Sequence, residues 1–193
     1  SAQMRAPADS VAKYVGGLVC RPDDKVCFYL KIHQIISQKE LSEHDKELNE
    51  RFSSEDSVLM DFVLRKYPKA ERKSSGLFVL KTTSTDGTKA EFGKTVLVNY
   101  TVCDTTGKML DTNVKDQALK GKIHNPSQIY QPFEFILGDD GLIAGWTEGV
   151  SYMHKGEKCR ILIPSKLAYG EGGFGAIAPF TPLIFDLELV DVK

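Results

Sequence analysis

The sequence predicts an α+β protein in which an antiparallel β-sheet wraps around one short helix and a helical region precedes the sheet. Three observations lead to this fold class. Apolar residues recur at helical spacing before Ser74, they alternate with a period of two after Ser75, and a single short helical segment interrupts the alternating part. We therefore expect a helical N-terminal region at residues 1–74 and a sheet domain at residues 75–193.

The composition is typical of a soluble globular protein and argues against several classes of function. The 193 residues are 41% hydrophobic and 26% charged, and the formal net charge is −1. A balanced charge does not favour a nucleic-acid partner, so none is expected. No run of about eighteen apolar residues is present, so no membrane-spanning helix is predicted.

The N-terminal region is predicted to contain two helices. An incomplete helical pattern runs from Asp24 to about Asn49, and a second helix starts at Ser53 or Ser54 and ends at Pro68. The apolar face of the second helix consists of Val58, Leu59, Phe62 and Val63. This face is too apolar for an isolated helix in water, so it packs against the sheet domain, the preceding helix or another chain. We favour another chain, which predicts a homodimer through the N-terminal helices.

The sheet domain is predicted from segments in which apolar and polar residues alternate. The segment GLFVLKT comes first and is followed by a turn at Asp86-Gly87. The next segment, KTVLVNYTV, places one set of apolar residues on one face, namely Val96, Val98, Tyr100 and Val102. The segments PFEFIL, CRILIP and PLIFDLELVDV continue the pattern as further strands.

The short helix is predicted at LIAGWTEGV, which holds the only tryptophan of the chain. Leu142, Trp146 and Val150 recur at helical spacing, so the indole faces the sheet. A purely structural role explains the position of Trp146. It does not explain the two neighbouring glycines, Gly145 and Gly149, which weaken a helix.

Sequence motifs for cofactor, metal or nucleophilic chemistry are either absent from this chain or lack the structural context they require. The run GEGGFG fits the dinucleotide pattern G-x-G-x-x-G, but Pro179 and Pro182 forbid the helix that such a site requires. The histidines are scattered singly and no G-x-S-x-G, P-loop or H-E-x-x-H motif occurs. We therefore expect neither a metal nor a cofactor, which leaves chemistry that needs only binding and environment.

A series of motifs in the second part of the chain resembles a known family. The segments VLVNYT, GKMLDTN, PFEFILG, LIAGWTEGV, MHKGEKCRILIPSKLAYG and PLIFDLELVDV occur in this order. Together they resemble the FKBP family of peptidyl-prolyl cis-trans isomerases, the tacrolimus-binding immunophilins, over residues 75–193, and SSGLFVLKT is similar to the first strand of bacterial members. The resemblance implies a curled antiparallel sheet that clasps one short helix, with a pocket between them.

The resemblance also implies roles for individual residues. The catalytic positions it implies are Asp111, Tyr169, Ile143 and Trp146, with the indole as the floor of the pocket. The substrate-binding positions it implies are Tyr100, Leu110, Phe133, Leu142, Ile177 and Phe185. The Ile143 N–H and the Tyr169 hydroxyl are expected to bind substrate carbonyls, and Asp111 to form the polar side. Gly145 is expected to keep space over the indole.

The function implied by the resemblance is isomerisation of X-Pro bonds during protein folding. The expected partners are proline-containing polypeptides and tacrolimus-like macrolides. The alternative is a proline-binding or chaperone module with weak or no turnover. Two departures support this alternative, because Leu110 stands where the family usually has phenylalanine and a long insertion separates Asp111 from Phe133.

The cysteines give an indication of the cellular compartment in which the protein is located. Cys20 and Cys27 enclose a short loop that suits a local disulfide, and such bonds form in oxidising compartments. With this bond the protein is extracytoplasmic, either periplasmic or anchored as a lipoprotein after processing. The alternative, in which the two cysteines are unpaired, also allows a cytoplasmic protein.

Overall fold

The computed structural model describes residues 38–139 and 141–193 in full, and nearer the N-terminus only two short strands. These strands, β1 (Tyr14–Val15) and β2 (Leu18–Val19), pair with each other in antiparallel fashion. The chain divides into two compact units, Ser1–Glu40 and Leu41–Lys193. The predicted Cys20–Cys27 pair and the part of the first predicted helix before residue 38 lie outside the described residues.

From residue 38 onward the chain forms three helices and seven further strands. In chain order these are α1 (Gln38–Lys66), β3 (Glu71–Arg72), β4 (Phe78–Thr82), β5 (Thr95–Asp104), β6 (Met109–Thr112), α2 (Lys115–Lys120), β7 (Phe133–Ile136), α3 (Ala144–Ser151), β8 (Lys158–Ile163) and β9 (Leu183–Val192). A 3₁₀ turn, Ser165–Leu167, follows β8. None of the described helices is both long and apolar enough to cross a bilayer.

The sheet is antiparallel throughout, with the strand order β3-β4-β8-β9-β5-β6. The strand β7 lies off this path and pairs with the first half of β5, whereas β6 pairs with its second half. The segment 113–132 therefore leaves the sheet and returns to it at the middle of β5. The predicted alternation is confirmed, because Val96 and Val98 of β5 and Leu183 and Leu189 of β9 are completely buried.

The helix α3 packs on the inner face of this sheet through Trp146 and Val150, as its sequence pattern predicted. Gly145 and Gly149 allow close contact between α3 and β8. A Cβ atom at Gly145 would lie 2.3 Å from Cγ2 of Ile163, and one at Gly149 would lie 2.5 Å from Cδ1 of Ile161. The expectation that Gly145 keeps space over the indole stays a prediction, because these contacts are with side chains of β8.

The helix α1 is continuous, so the prediction of a helix starting at Ser53 or Ser54 is wrong. The serines that suggested a cap lie inside the helix instead. The Ser53 hydroxyl donates to the Asn49 carbonyl, and the Ser57 hydroxyl donates to the Ser53 carbonyl. Such bonds to the preceding turn satisfy a serine within a helix, which a sequence pattern does not distinguish from a cap.

The second half of α1 packs onto the outer side of the sheet domain, so the expectation that its apolar face packs against another chain is wrong for Leu59 and Val63. Leu59 and Val63 are buried in a cluster with sheet residues, namely Phe78, Leu80 and Leu162. The neighbouring Val58 and Leu64 remain 65% and 64% exposed. One hydrophobic cluster thus joins residues on both sides of the expected boundary between residues 74 and 75.

Candidate functional site

The centre of the candidate site is the indole of Trp146, which is only 4% exposed. The Tyr100 and Phe185 rings meet it edge-on, with centroid distances of 5.4 and 5.2 Å. The Phe135 ring lies 6.0 Å away at a tilted angle. Edge-to-face contacts of this kind are the arrangement that aromatic quadrupoles favour. The indole is therefore held in one orientation by three rings.

Sheet register brings the aromatic walls together. Tyr100 of β5 pairs with Leu187 of β9, and Val102 pairs with Phe185. Tyr100 and Phe185 are thus diagonal neighbours on the inner face, where long side chains reach each other. The floor comes from α3, which starts directly after Ile143.

The indole nitrogen of Trp146 is the one buried side-chain polar atom without a hydrogen-bond partner in the described part of the chain. Burying an unpaired N–H costs free energy, and native folds keep few such groups. A polar atom of this kind inside an apolar cluster is a feature that packing alone does not favour. The family resemblance implies a pocket over this cluster, and we call this expected pocket the cleft.

Most of the predicted site residues surround this floor. The members that are partly buried against the same core cluster are Tyr100, Leu110, Leu142, Ile143, Tyr169 and Ile177. Trp146 and Phe185 are buried within the cluster itself. The structure therefore brings eight of the ten predicted positions into one apolar cluster, and the remaining two lie at its edge.

Phe133 is one of these two, because it is 41% exposed and lies outside the cluster. Its ring stacks on that of Phe135, with a centroid distance of 5.3 Å, and Phe135 in turn contacts Trp146. Phe135 was not among the predicted site residues. The period-two pattern places Phe133 and Phe135 on the same face of β7, but it does not show which of the two lies next to the indole.

Asp111 is the second predicted position outside the apolar cluster, and it forms the polar side of the cleft. Its Oδ2 accepts a 2.7 Å hydrogen bond from the Tyr100 hydroxyl, and its Oδ1 accepts one of 2.8 Å from the Thr112 N–H. Burial raises the pKa of Tyr100 well above its ordinary value, and the bond to Asp111 raises it further. The phenol therefore stays protonated and remains a hydrogen-bond donor to the carboxylate.

Tyr169 lies in the segment that follows the 3₁₀ turn and packs against the same apolar cluster. Burial raises the pKa of its hydroxyl, and the negative charge of Asp111 adds to this effect. Phe174 stacks on the Tyr169 ring with a centroid distance of 5.0 Å and an interplanar angle of 13°, although Phe174 itself is 66% exposed. The Tyr169 ring is thus covered from the solvent side by the glycine-rich loop.

Ile143 contributes the polar N–H and carbonyl groups of its backbone to the site, because its side chain is apolar. Its carbonyl accepts hydrogen bonds from the Trp146 and Thr147 N–H groups at 3.0 and 3.3 Å, which begins α3. A residue in this position keeps its own N–H outside the ladder of helical hydrogen bonds. The Ile143 amide is thus located where a ligand carbonyl could be bound.

The insertion between Asp111 and Phe133 is ordered at its base by Asn113. The Asn113 Oδ1 accepts the Tyr100 N–H at 2.7 Å, and its Nδ2 donates to the carbonyls of Val98 and Gln131 at 2.9 and 3.1 Å. The short helix α2 that follows was not predicted. Asn113 therefore ties both ends of the insertion to β5.

The groups at this site are suited to binding an uncharged ligand. In the described residues, no group of three or more histidine, cysteine, aspartate or glutamate side chains could hold a metal ion. The cleft offers an aromatic floor, a carboxylate, two protonated phenols and a backbone N–H. This combination suits an uncharged ligand that buries an apolar ring and presents carbonyl groups.

Comparisons with known proteins agree with this geometry. Residues 86–190 match the family described as FKBP-type peptidyl-prolyl cis-trans isomerase. The chain is 34% identical over 148 residues to the FKBP-type peptidyl-prolyl cis-trans isomerase FkpA of Escherichia coli (strain K12). This match covers 77% of this chain and 45% of that protein. It is 38% identical over 120 residues to a probable FKBP-type peptidyl-prolyl cis-trans isomerase of Haemophilus influenzae, covering 62% of this chain and 44% of that one.

Solved structures give the same result. The crystal structure of FkpA from Escherichia coli matches with a TM-score of 0.57 and 30% identity, over 79% of this chain and 64% of that one. A peptidyl-prolyl cis-trans isomerase from Pseudomonas syringae matches with a TM-score of 0.57 and 29% identity, over 75% of this chain and 95% of that one. With the relatives from Escherichia coli and Haemophilus influenzae, by contrast, the match spans less than half of each relative's length.

Proposed function

The chain belongs to the FKBP-type peptidyl-prolyl cis-trans isomerase family, and from this premise we propose that it accelerates the isomerisation of X-Pro bonds in folding polypeptides. The observation that carries the proposal is the indole of Trp146, held edge-on by Tyr100 and Phe185 in an apolar cluster. The cleft residues lie within the segment that matches the family. No cofactor enters the proposed reaction.

The reaction needs no proton transfer. An X-Pro bond isomerises slowly because the amide has partial double-bond character. Water stabilises the planar, charge-separated form of the amide, so removing water from the carbonyl lowers the barrier. Holding the proline ring against Trp146 while the bond is twisted favours the transition state over the ground state. A thousandfold acceleration requires only about 4 kcal/mol of such differential binding.

The polar groups have separate roles in this proposal. The Ile143 N–H and the Tyr169 hydroxyl bind the carbonyls that flank the proline. Asp111 orients the Tyr100 phenol and supplies the polar wall of the cleft. Support comes from the 2.7 Å bond between Tyr100 and Asp111 and from the partly buried positions of Ile143 and Tyr169 at the rim.

An isomerisation assay on a short Leu-Pro peptide tests the proposal. We expect catalysis by the chain, and a loss of about five- to thirtyfold in kcat/KM for Tyr169→Phe, which is the scale of one hydrogen bond. The matched control is Tyr152→Phe, because this tyrosine is 43% exposed and its hydroxyl donates to Glu148 instead. A protein that binds the peptide without accelerating its isomerisation would instead have the alternative function, a proline-binding or chaperone module.

We also propose that tacrolimus-like macrolides bind the same cleft. Because Trp146 is the only tryptophan of the chain, its fluorescence reports directly on the floor of the cleft. A change in emission upon addition of tacrolimus is expected. Constant emission at saturating ligand, with the fold intact by circular dichroism, would mean that the macrolide does not reach the indole.

Two further proposals concern the cellular location and the oligomeric state of the protein. An extracytoplasmic location, in the periplasm of a bacterium or on its membrane as a processed lipoprotein, follows if Cys20 and Cys27 are bridged. Cys103 and Cys159 are unpaired. Thiol titration of the unfolded, unreduced protein should then detect two of the four cysteines, whereas four reactive thiols would remove the basis for this location.

A homodimer through the N-terminal helices is the second of these proposals. Val58 and Leu64 of α1 support it, because each leaves about two thirds of its surface exposed. A dimer would present two clefts to one unfolded client and raise its apparent affinity. Light scattering of the whole chain tests this, and a monomer at micromolar concentration would exclude it.

A further inference from the structure

The helix α1 reaches across the sheet domain and contacts the segment that carries Tyr169. The Glu55 carboxylate accepts a 2.7 Å hydrogen bond from the Ser165 N–H through Oε1. Its Oε2 accepts a second, short hydrogen bond from the Ser165 hydroxyl. Ser165 has no exposed surface, so this carboxylate is the partner of a fully buried polar side chain.

Ser165 is the residue on which the following turn depends. Its carbonyl accepts the N–H groups of Ala168 and Gly170, both at 2.9 Å, so these bonds bracket Tyr169. The N–H of Ser165 is one of the donors that the start of a helical turn leaves unsatisfied. Glu55 satisfies it from 110 positions away in the chain, where a local side chain would normally act as the cap.

A second contact holds the far end of the same loop. The Phe52 and Phe180 rings lie 5.5 Å apart, and the Arg51 guanidinium lies 5.0 Å from the centroid of the Phe180 ring. Phe180 has a φ of +54°, a conformation that costs free energy for a residue other than glycine. Its N–H donates to the Gly170 carbonyl at 2.8 Å. Contacts with α1 therefore help to hold this strained residue and close the loop.

A third contact lies between these two points. The His44 Nε2 atom is 3.2 Å from a carboxylate oxygen of Glu171, although both side chains are about half exposed. The loop they touch contains four glycines between residues 170 and 175. Glycine-rich segments lose much conformational entropy when they become ordered, so such a loop needs contacts from outside to adopt one conformation.

We propose that α1 is a positioning element of the isomerase site, with Glu55 and Phe52 as positioning residues that act through Tyr169. The inference rests on the proposed function for its effect on the reaction. Glu55 holds the start of the loop and Phe52 holds its end, so the Tyr169 hydroxyl keeps its position at the site. Small displacements of a group that binds the transition state lower turnover even when they arise far from the substrate.

Substitution of Glu55 tests the proposal. Glu55→Ala should lower kcat/KM for a short Leu-Pro peptide by about fivefold, since a hydrogen bond to a charged group is lost. Glu55→Gln keeps an acceptor for the Ser165 N–H and should recover about half of that loss on a logarithmic scale. The control is Glu50→Ala, because Glu50 lies on the same helix in an exposed pair with Lys46 and should leave the rate unchanged.

A double-variant cycle distinguishes positioning from general stability. If Glu55 acts through Tyr169, Glu55→Ala should change kcat/KM by no more than about twofold in the Tyr169→Phe background. An equal loss in both backgrounds would overturn the role assigned to Tyr169. If Glu55→Ala does not fold, the same cycle is run with Glu55→Gln.

Hydrogen exchange gives a readout that does not depend on activity. In Glu55→Ala the amides of Ser165, Ala168 and Gly170 should exchange faster than in the wild-type chain, while those of β5 and β9 keep their protection. Unchanged exchange at these amides would overturn the inference. An inactive wild-type chain would refute the proposed function instead, and the exchange data would still decide whether α1 holds the loop.

Discussion

The hydroxyl of Tyr100 donates a 2.7 Å hydrogen bond to Oδ2 of Asp111, and this bond joins neighbouring strands at the rim of the cleft. Burial and the carboxylate together raise the pKa of the phenol. The bond therefore has two measurable consequences, one for stability at alkaline pH and one for turnover.

The first prediction concerns stability as a function of pH. The folded protein keeps the Tyr100 proton to a higher pH than the unfolded chain, whose tyrosines titrate near pH 10. This contribution to the free energy of unfolding is fully present below about pH 10 and is lost as the pH rises further. Urea denaturation across this range should show a smaller alkaline loss for Tyr100→Phe than for the wild-type chain. Equal losses would contradict the assignment.

The second prediction concerns Asp111. Asp111→Ala removes the acceptor of the Tyr100 hydroxyl and the polar wall of the cleft, and should lower kcat/KM by about five- to thirtyfold. The fold should remain intact, because Asp111 is exposed at the rim. Asp116→Ala in α2 is the matched control, since this aspartate is also exposed and lies outside the cleft. If Asp111→Ala keeps the full rate, the role carried over from the family is wrong.

The third prediction concerns the contact between α3 and β8. Gly149→Ala forces a Cβ atom towards Cδ1 of Ile161 and should destabilise the fold by about 1–3 kcal/mol, as overpacking does. The control is Gly141→Ala, where a Cβ atom would meet nothing within 4 Å.

A second substitution shows whether this steric contact is the cause. Ile161→Val removes the Cδ1 atom, so the double variant with Gly149→Ala should lose less stability than the two single variants added together. Strict additivity in urea denaturation would show that the glycine is required for another reason.

The fourth prediction concerns the junction of α1 with the sheet domain. Leu59→Ala leaves a cavity next to Phe78 and Leu162 and should cost about 2–5 kcal/mol of unfolding free energy. Val58→Ala, one residue earlier on the same helix, should change the stability of the monomer by less than about 0.5 kcal/mol because Val58 is 65% exposed there. Similar losses for both would indicate that this face of α1 is covered in solution.

The inner face of the sheet was predictable because its strands alternate between apolar and polar residues over most of their length. In β5 the apolar Val96, Val98 and Val102 share one face and the polar Thr95, Asn99 and Thr101 share the other, with Leu97 as the exception, so the period of two indicates both the strand and the buried face. The helical spacing around Trp146 likewise predicted that the indole packs on the sheet. Phe133 and Phe135 satisfy the same pattern equally well, so periodicity could not show that Phe135 is the one next to the indole.

The contacts of α1 could not be predicted, for a different reason. A serine beside acidic residues resembles a helix start, and the sequence does not show that Ser53 instead donates to Asn49 within the helix. The bond from Ser165 to Glu55 joins residues 110 positions apart and has no periodic signal. Side chains that meet only through tertiary packing carry no local pattern in the sequence.

Asn113 gives the protein a site at which new sequence can be accommodated. Its amide holds Tyr100 and Val98 of β5 together with Gln131, so the two ends of the insertion are fixed at one point. The helix α2 inside the insertion packs on β6 and buries Ala118, so its composition is constrained. The exposed stretch between α2 and Gln131 is different, because doubling the length of a flexible loop costs only about 0.6 kcal/mol of closure entropy. We therefore expect engineered segments inserted in this stretch to leave the register of β6 and β7 unchanged.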